Sequence, residues 1–126
     1  MKTLNVVDSS AWLEYLADTK RAGLFARAIE DVENLLVPVI TLYEIFKKVL
    51  RERGESEALE VASVMQSGRL IGLDGTLARE AARHPLPLAD SLIYATARHH
   101  QATLWTQDEH FKDLPDVRYF PLPPPD

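Results

Sequence analysis

Apolar residues in this chain follow two rhythms, short β-branched runs and longer stretches where they recur every three or four positions, and the alternation predicts the order of elements. Thr3 to Val7 reads as a buried strand that stops at Asp8, Ser9 and Ser10, residues that suit a helix start. In "AWLEYLAD", Trp12, Leu13 and Leu16 fall at helical spacing; a second helix follows from about Lys20 to Glu33, with Leu24, Ile29 and Val32 among its apolar positions. "NLLVPVI" is a second strand, with Asn34 a break and Pro38 an end or edge. From Thr41, "TLYEIFKKVLRERG" turns Leu42, Ile45, Phe46 and Val49 inward and is stopped by Gly54.

The remaining chain continues the scheme. A helix over about Ser56 to Gln66 ends at Ser67 and Gly68, "RLIGL" is a short strand and "DGTLAREAARH" a helix. "HPLPLADSLIYATARHH" is a Pro-punctuated turn feeding a longer helix, "ATLWTQD" a late strand, "EHFKDL" one helical turn and "VRYF" a last strand. Strands alternating with helices of this length predict an α/β domain whose mainly parallel central sheet is covered by helices on both faces. On this reading residues 1–120 form a single domain, and 121–126, "PLPPPD", an extended proline-rich tail.

Composition narrows the function classes. With 126 residues, 46% of them hydrophobic and 26% charged, the chain has the make-up of one soluble domain with a real core. The lack of cysteine excludes a disulfide framework and a thiolate zinc site, and fits a reducing cytosol. Asp8 interrupts "MKTLNVVD" before a signal peptide's apolar segment would be complete, and the longest uncharged apolar stretch, Leu35 to Tyr43, is far short of the roughly 18 residues of a membrane span. The expectation is a cytoplasmic protein with no membrane contact. A net charge of -5 argues against general affinity for nucleic-acid phosphates, so activity on nucleic acid has to rest on local patches or a metal.

Among nineteen acidic residues, placement singles out four. Asp8 ends the first strand, Glu44 sits in the first turn of the helix after the second strand, and Asp108 follows the "ATLWT" strand. In open parallel sheets the ligand crevice lies beyond the carboxyl ends of the strands, so these three share one rim. Asp90 joins them if the helix opened by Pro87 starts at that rim. Each acid also has a local account: Asp8, Ser9 and Ser10 compete to cap a helix, with Ser10 the favoured cap once Asp8 is a ligand; Thr41 to Glu44 fits a capping box; Asp90 complements a helix dipole; Asp108 suits a cap on "EHF". Convergence of all four would need a cation or protonation, since one pair at 4 Å costs on the order of 4 kcal/mol near a surface. Oxygen ligands favour a hard divalent ion, Mg²⁺ or Mn²⁺, and phosphodiester hydrolysis is the natural chemistry.

Four pieces in this order and spacing, "VVDSSAWLEYL", "VITLYEIFKKV", "PLADSLIYATAR" and "ATLWTQDEHF", resemble the PIN-domain ribonucleases, most closely the toxin subunits of VapBC toxin–antitoxin pairs, from Lys2 to about Tyr119. The resemblance implies a PIN-like three-layer sandwich with Asp8, Glu44, Asp90 and Asp108 as catalytic, metal-binding acids and Ser9 and Thr106 as polar residues beside them. It further implies a Mg²⁺- or Mn²⁺-dependent endoribonuclease acting on RNA, a homodimer, inhibited by a cognate antitoxin whose tail enters the active-site groove. The fourth acid is less constant in that family than the others, which puts less weight on Asp108. The proline tail lies outside the shared pattern.

Asp8, Asp90 and Glu44 would then hold the main ion directly or through water, and Asp108 would orient a water or help hold a second ion, with Ser9 and Thr106 hydrogen-bonding the ligands. Lys47, Lys48, Arg51 and Arg53 are candidate RNA-phosphate contacts, with a solvated helix face as the plainer account. His84, His99, His100 and His110 form no ligand-spaced pair with an acid partner and are expected to take no chemical part. Two rivals remain. A receiver or haloacid-dehalogenase-like phosphatase also carries a strand-end Asp, but the latter needs a second Asp where Ser10 stands. A PIN-like module that binds RNA or protein without cleaving would have no use for four mutually repelling carboxylates.

Overall fold

The computed structural model, which describes residues 3–124, orders five short strands into one all-parallel sheet, β3-β2-β1-β4-β5. The strands are β1 (Asn5–Val7), β2 (Leu35–Pro38), β3 (Arg69–Ile71), β4 (Thr103–Thr106) and β5 (Val117–Tyr119). Parallel neighbours cannot be joined by hairpins, so helices carry most of the connections. α1 (Ser9–Leu16) and α2 (Ala22–Glu30) link β1 to β2, α3 (Val39–Arg53) and α4 (Glu55–Met65) link β2 to β3, and α5 (Gly75–Ala82) and α6 (Leu88–His99) link β3 to β4. A single 3₁₀ turn, Glu109–Phe111, precedes β5.

Alternation along the strands divides the core in two, because successive side chains leave opposite faces of a sheet. Val7, Leu35, Val37 and Trp105 pack with Trp12, Phe25, Ile45 and Met65; Val6, Leu36 and Leu104 pack with Leu77, Ile93, Tyr94 and Phe111 on the other face. Each fully buried side chain of this size contributes roughly 1.5–3 kcal/mol. The expected three-layer α/β sandwich is therefore present, and the central strands are apolar on both faces as its covered sheet requires.

Element ends differ from expectation where one residue overrides the pattern. α3 begins at Val39, two residues before Thr41, because Pro38 (φ -61°, ψ 137°) leads directly into the helix, and β2 is correspondingly short. α2 stops at Glu30: Asp31 leaves helical geometry (φ -83°, ψ 69°), Val32–Asn34 forms a 3₁₀ turn, and the Asn34 side chain donates to both Asp31 carboxylate oxygens at 3.1 and 2.9 Å. Of the expected opening and tail, Met1, Lys2, Pro125 and Asp126 lie outside the described residues. No described helix is long and apolar enough to cross a membrane.

Chain direction places the crevice. The path runs outward from β1 through β2 to β3, then crosses back to lay β4 on the other flank of β1 and β5 beyond it. The strand order thus reverses between β1 and β4, and connections leaving their carboxyl ends diverge there, as ligand-binding crevices of such sheets require.

Candidate active site

Asp8 follows β1 at this reversal and takes extended geometry (φ -76°, ψ 170°) as the N-cap of α1, its carboxylate accepting the Ala11 N–H at 3.0 Å. The Ser10 hydroxyl donates to both carboxylate oxygens, at 3.0 and 3.1 Å, and Thr106 Oγ1 donates from the end of β4 at 2.7 Å. Ser10, the expected cap, is instead a donor to the real one, because Asp8 performs the capping while facing the rim. Only 2% of Asp8 is exposed. Burial pushes its pKa from 3.8 up to about 6, against the opposing hydrogen bonds from Thr106, Ala11 and Ser10, and the nearby Asp108 charge adds to the rise.

Thr106 joins two acids through one hydroxyl. While its proton goes to Asp8, its oxygen accepts the Asp108 N–H at 2.9 Å. Asp108 in turn caps the 3₁₀ turn by accepting the His110 N–H at 2.9 Å, which folds the histidine back over the rim. His110 Nδ1 then lies 2.7 Å from Asp90 Oδ2 and 3.2 Å from Asp108 Oδ1. One ligand atom from each of Asp90, Asp108 and His110 falls within 4.8 Å of the others. Burial raises the Asp90 pKa, His110 offsets part of that rise, and Asp108 adds to it. The Asp90 hydrogen bond and the Asp108 charge raise the pKa of His110.

Glu44 lies in the second turn of α3 rather than the first, and faces the start of α1. Ser9 Oγ donates to Glu44 Oε1 at 2.6 Å, tying it to the residue after Asp8. The capping box expected at Thr41 does not form: Thr41 is fully buried and its hydroxyl has no hydrogen-bond partner among the described residues. The four expected acids thus occupy one rim in two linked groups, Asp8 with Glu44 through consecutive residues, and Asp108 with Asp90 through His110. Ser9 and Thr106 are the linking hydroxyls.

His110 is the residue that sequence reasoning missed. The one available signal was its position two residues after a strand-end acid in "TQDEHF", where a capped turn returns it to the acid. The basic face of α3 is largely self-satisfied: Lys48 donates to Glu52 at 2.8 Å, Arg51 and Glu52 are 3.7 Å apart, Arg53 and Glu57 3.8 Å, and Lys47 sits 5.4 Å above the Tyr43 ring.

A divalent cation fits this donor set. A buried carboxylate pushed toward neutrality, beside two more whose oxygens approach each other through a shared imidazole, is an arrangement that positive charge stabilises. Hard oxygen donors select Mg²⁺ or Mn²⁺.

The sequence profile of the PIN domain matches residues 6–117. No curated protein sequence matches the chain. Among solved structures, a toxin–antitoxin complex from Klebsiella pneumoniae aligns with a TM-score of 0.76 at 19% identity, covering 94% of this chain and 99% of that one. VapC20 of Mycobacterium tuberculosis, a sarcin-ricin loop cleaving toxin, aligns at 0.72 and 20% over 90% and 96% of the two chains. VapBC2 of Rickettsia felis, bound to a DNA fragment from its promoter, aligns at 0.73 and 12% over 94% and 98%. At such identities the likeness is one of fold.

Proposed function

The chain belongs to the PIN domain family, and on that premise we propose that it is a Mg²⁺- or Mn²⁺-dependent endoribonuclease, the toxin of a toxin–antitoxin pair. The observation that carries this reading is the approach of Asp90 and Asp108 around His110 where the strand order reverses, with Asp8 tied to the Asp108 turn through Thr106 and Glu44 tied to the residue after Asp8 through Ser9. Asp8, Glu44, Asp90 and Asp108 are the residues that would hold the cation. When bound, such an ion stabilises charge developing on a phosphodiester and makes water a stronger nucleophile for in-line attack.

The chain's own residues prepare that chemistry. Three donors fix the Asp8 carboxylate in one direction, so a ligand meets a rigid oxygen pair. Ser9 does the same for Glu44. With a proton on Nδ1, His110 would sit between Asp90 and Asp108 and lower their mutual repulsion before any cation arrives. Hydrolysis of RNA in this way leaves a 5′-phosphate and a 3′-hydroxyl. Lys47, Lys48 and Arg51 offer RNA phosphates a cationic face in competition with Glu52 and Tyr43.

The test is cleavage of RNA by the purified protein with Mg²⁺ or Mn²⁺. EDTA should abolish it, and Asp8→Asn and Asp90→Asn should each lower it by about a hundredfold or more, the scale of lost charge stabilisation at a reacting centre. Full activity in both variants would sink the metal site, and an inactive wild type that still binds RNA would leave a non-cleaving module. Likeness to toxin–antitoxin complexes supports a cognate antitoxin as partner, and a homodimer is the assembled form that the family resemblance implies. Expression alone should arrest bacterial growth in the cytoplasm, and co-expression of the neighbouring gene's product should relieve it.

A further inference from the structure

Beside the acidic rim lies a cavity of about 360 Å³ lined by Ser10, Gln107, Asp108, His110, Tyr119 and Leu122. Its outer wall is the start of the proline tail, which is firmly anchored. The Phe120 N–H donates to the Thr106 carbonyl at 2.9 Å, and the Phe120 ring meets Phe25 edge-on at 5.4 Å and stacks along Trp105 at 6.1 Å. Arg21 donates to the carbonyls of Phe120 and Pro121 at 2.8 and 3.3 Å. This anchoring fixes Leu122, 55% exposed, next to a carboxylate cluster where leucine by itself gains little.

The chemistry of the walls selects the occupant. The same Arg21 donates to Gln107 Oε1 at 2.8 Å, so the part of that amide left to a ligand is its N–H donor. No lysine or arginine lines the cavity among the described residues, whereas Asp108 and Glu109 do, which disfavours a phosphate. Tyr119 and Leu122 suit a flat neutral ring, and Gln107 suits a ring that accepts a hydrogen bond. We propose that this cavity is a nucleobase subsite, which stacks the base next to the scissile phosphate on Tyr119, borders it with the fixed Leu122 and reads it through Gln107. The proposal rests on the ribonuclease reading for its setting, since Asp108 and His110 belong to both the cavity and the acidic cluster. An arginine of a partner peptide is the competing occupant; against it, the Asp108 charge is already shared with His110.

Two measurements on the full chain test this. In EDTA, adenosine, guanosine, cytidine and uridine are titrated separately against labelled protein, alongside N-acetyl-arginine amide, with amide and methyl shifts followed by NMR. At least one nucleoside should move Gln107 and Leu122, and Tyr119→Ala should weaken that binding about tenfold, the lower part of the range for one stacked base. Response to the arginine derivative alone, or to none of the five, overturns the subsite. In the second measurement, Tyr119→Ala and Leu122→Ser should raise KM about tenfold and flatten the preference for the nucleotide beside the cut, with kcat changing less. Cleavage with unchanged preference and KM in both variants overturns the subsite and leaves the ribonuclease reading standing. Nucleoside binding without RNA cleavage by the wild type overturns the ribonuclease reading and leaves the pocket's taste for bases intact.

Discussion

Taking Asp8 out of water while giving it three hydrogen bonds leaves its charge under-compensated, as its pKa of about 6 records. A carboxyl raised above its unfolded value of 3.8 is protonated more readily in the native state, so the cost of ionising it is absent below pH 4, grows between pH 4 and 6, and is complete above. The full cost is about 3 kcal/mol at most. Asp8→Asn keeps the helix cap and removes the charge, so in EDTA it should stabilise the protein at pH 7.5 by about 1–3 kcal/mol, with the gain vanishing near pH 4. Urea unfolding across pH measures it; a pH-independent gain would refute the account. His110 gives a second reading of the same rim. Its ring should titrate above 6.5 in EDTA, and the midpoint should fall in Asp90→Asn, where the strongest partner is neutral; an unchanged NMR titration would remove the Asp90 contact. Asp8 was legible because a strand-end acid is a local pattern. His110 was not, because its neighbour Asp90 is twenty residues away on another helix.

At the scale of elements, the order of strands and helices could be read almost entirely from the alternation of apolar positions, since Val6 and Val7, or Leu36 and Val37, must leave opposite faces of a covered sheet. Boundaries could not, because a single proline or aspartate moved them. The early start of α3 is the consequential case. It leaves Glu44 in the second turn, where Ser9 reaches it, and Thr41 inside the helix with a buried hydroxyl that has no partner among the described residues. Thr41→Val keeps the shape and removes the desolvated group, so thermal or urea unfolding should show a gain of about 1 kcal/mol. A loss instead would mean that the hydroxyl is engaged.

The whole molecule links metal, fold and charge. If the four acids hold a cation only when folded, Mg²⁺ or Mn²⁺ at a hundred times its dissociation constant adds about 2.7 kcal/mol and should raise Tm by roughly 10 °C for a domain of this size. The shift should be lost in Asp90→Asn, and NaCl at matched ionic strength should not reproduce it.

Thr106 binds Asp8 across 98 positions of chain, and the strand order has a consequence for synthesis. The ribosome releases β1, β2 and β3 first, with Asp8 and Glu44 among the residues before β4, while the hydroxyl, Asp108 and the histidine arrive only with β4 and the turn after it. A nascent enzyme of the proposed kind therefore carries half a blade beside the RNA of its own translation machinery, and closes it only after β4 has slid in beside β1.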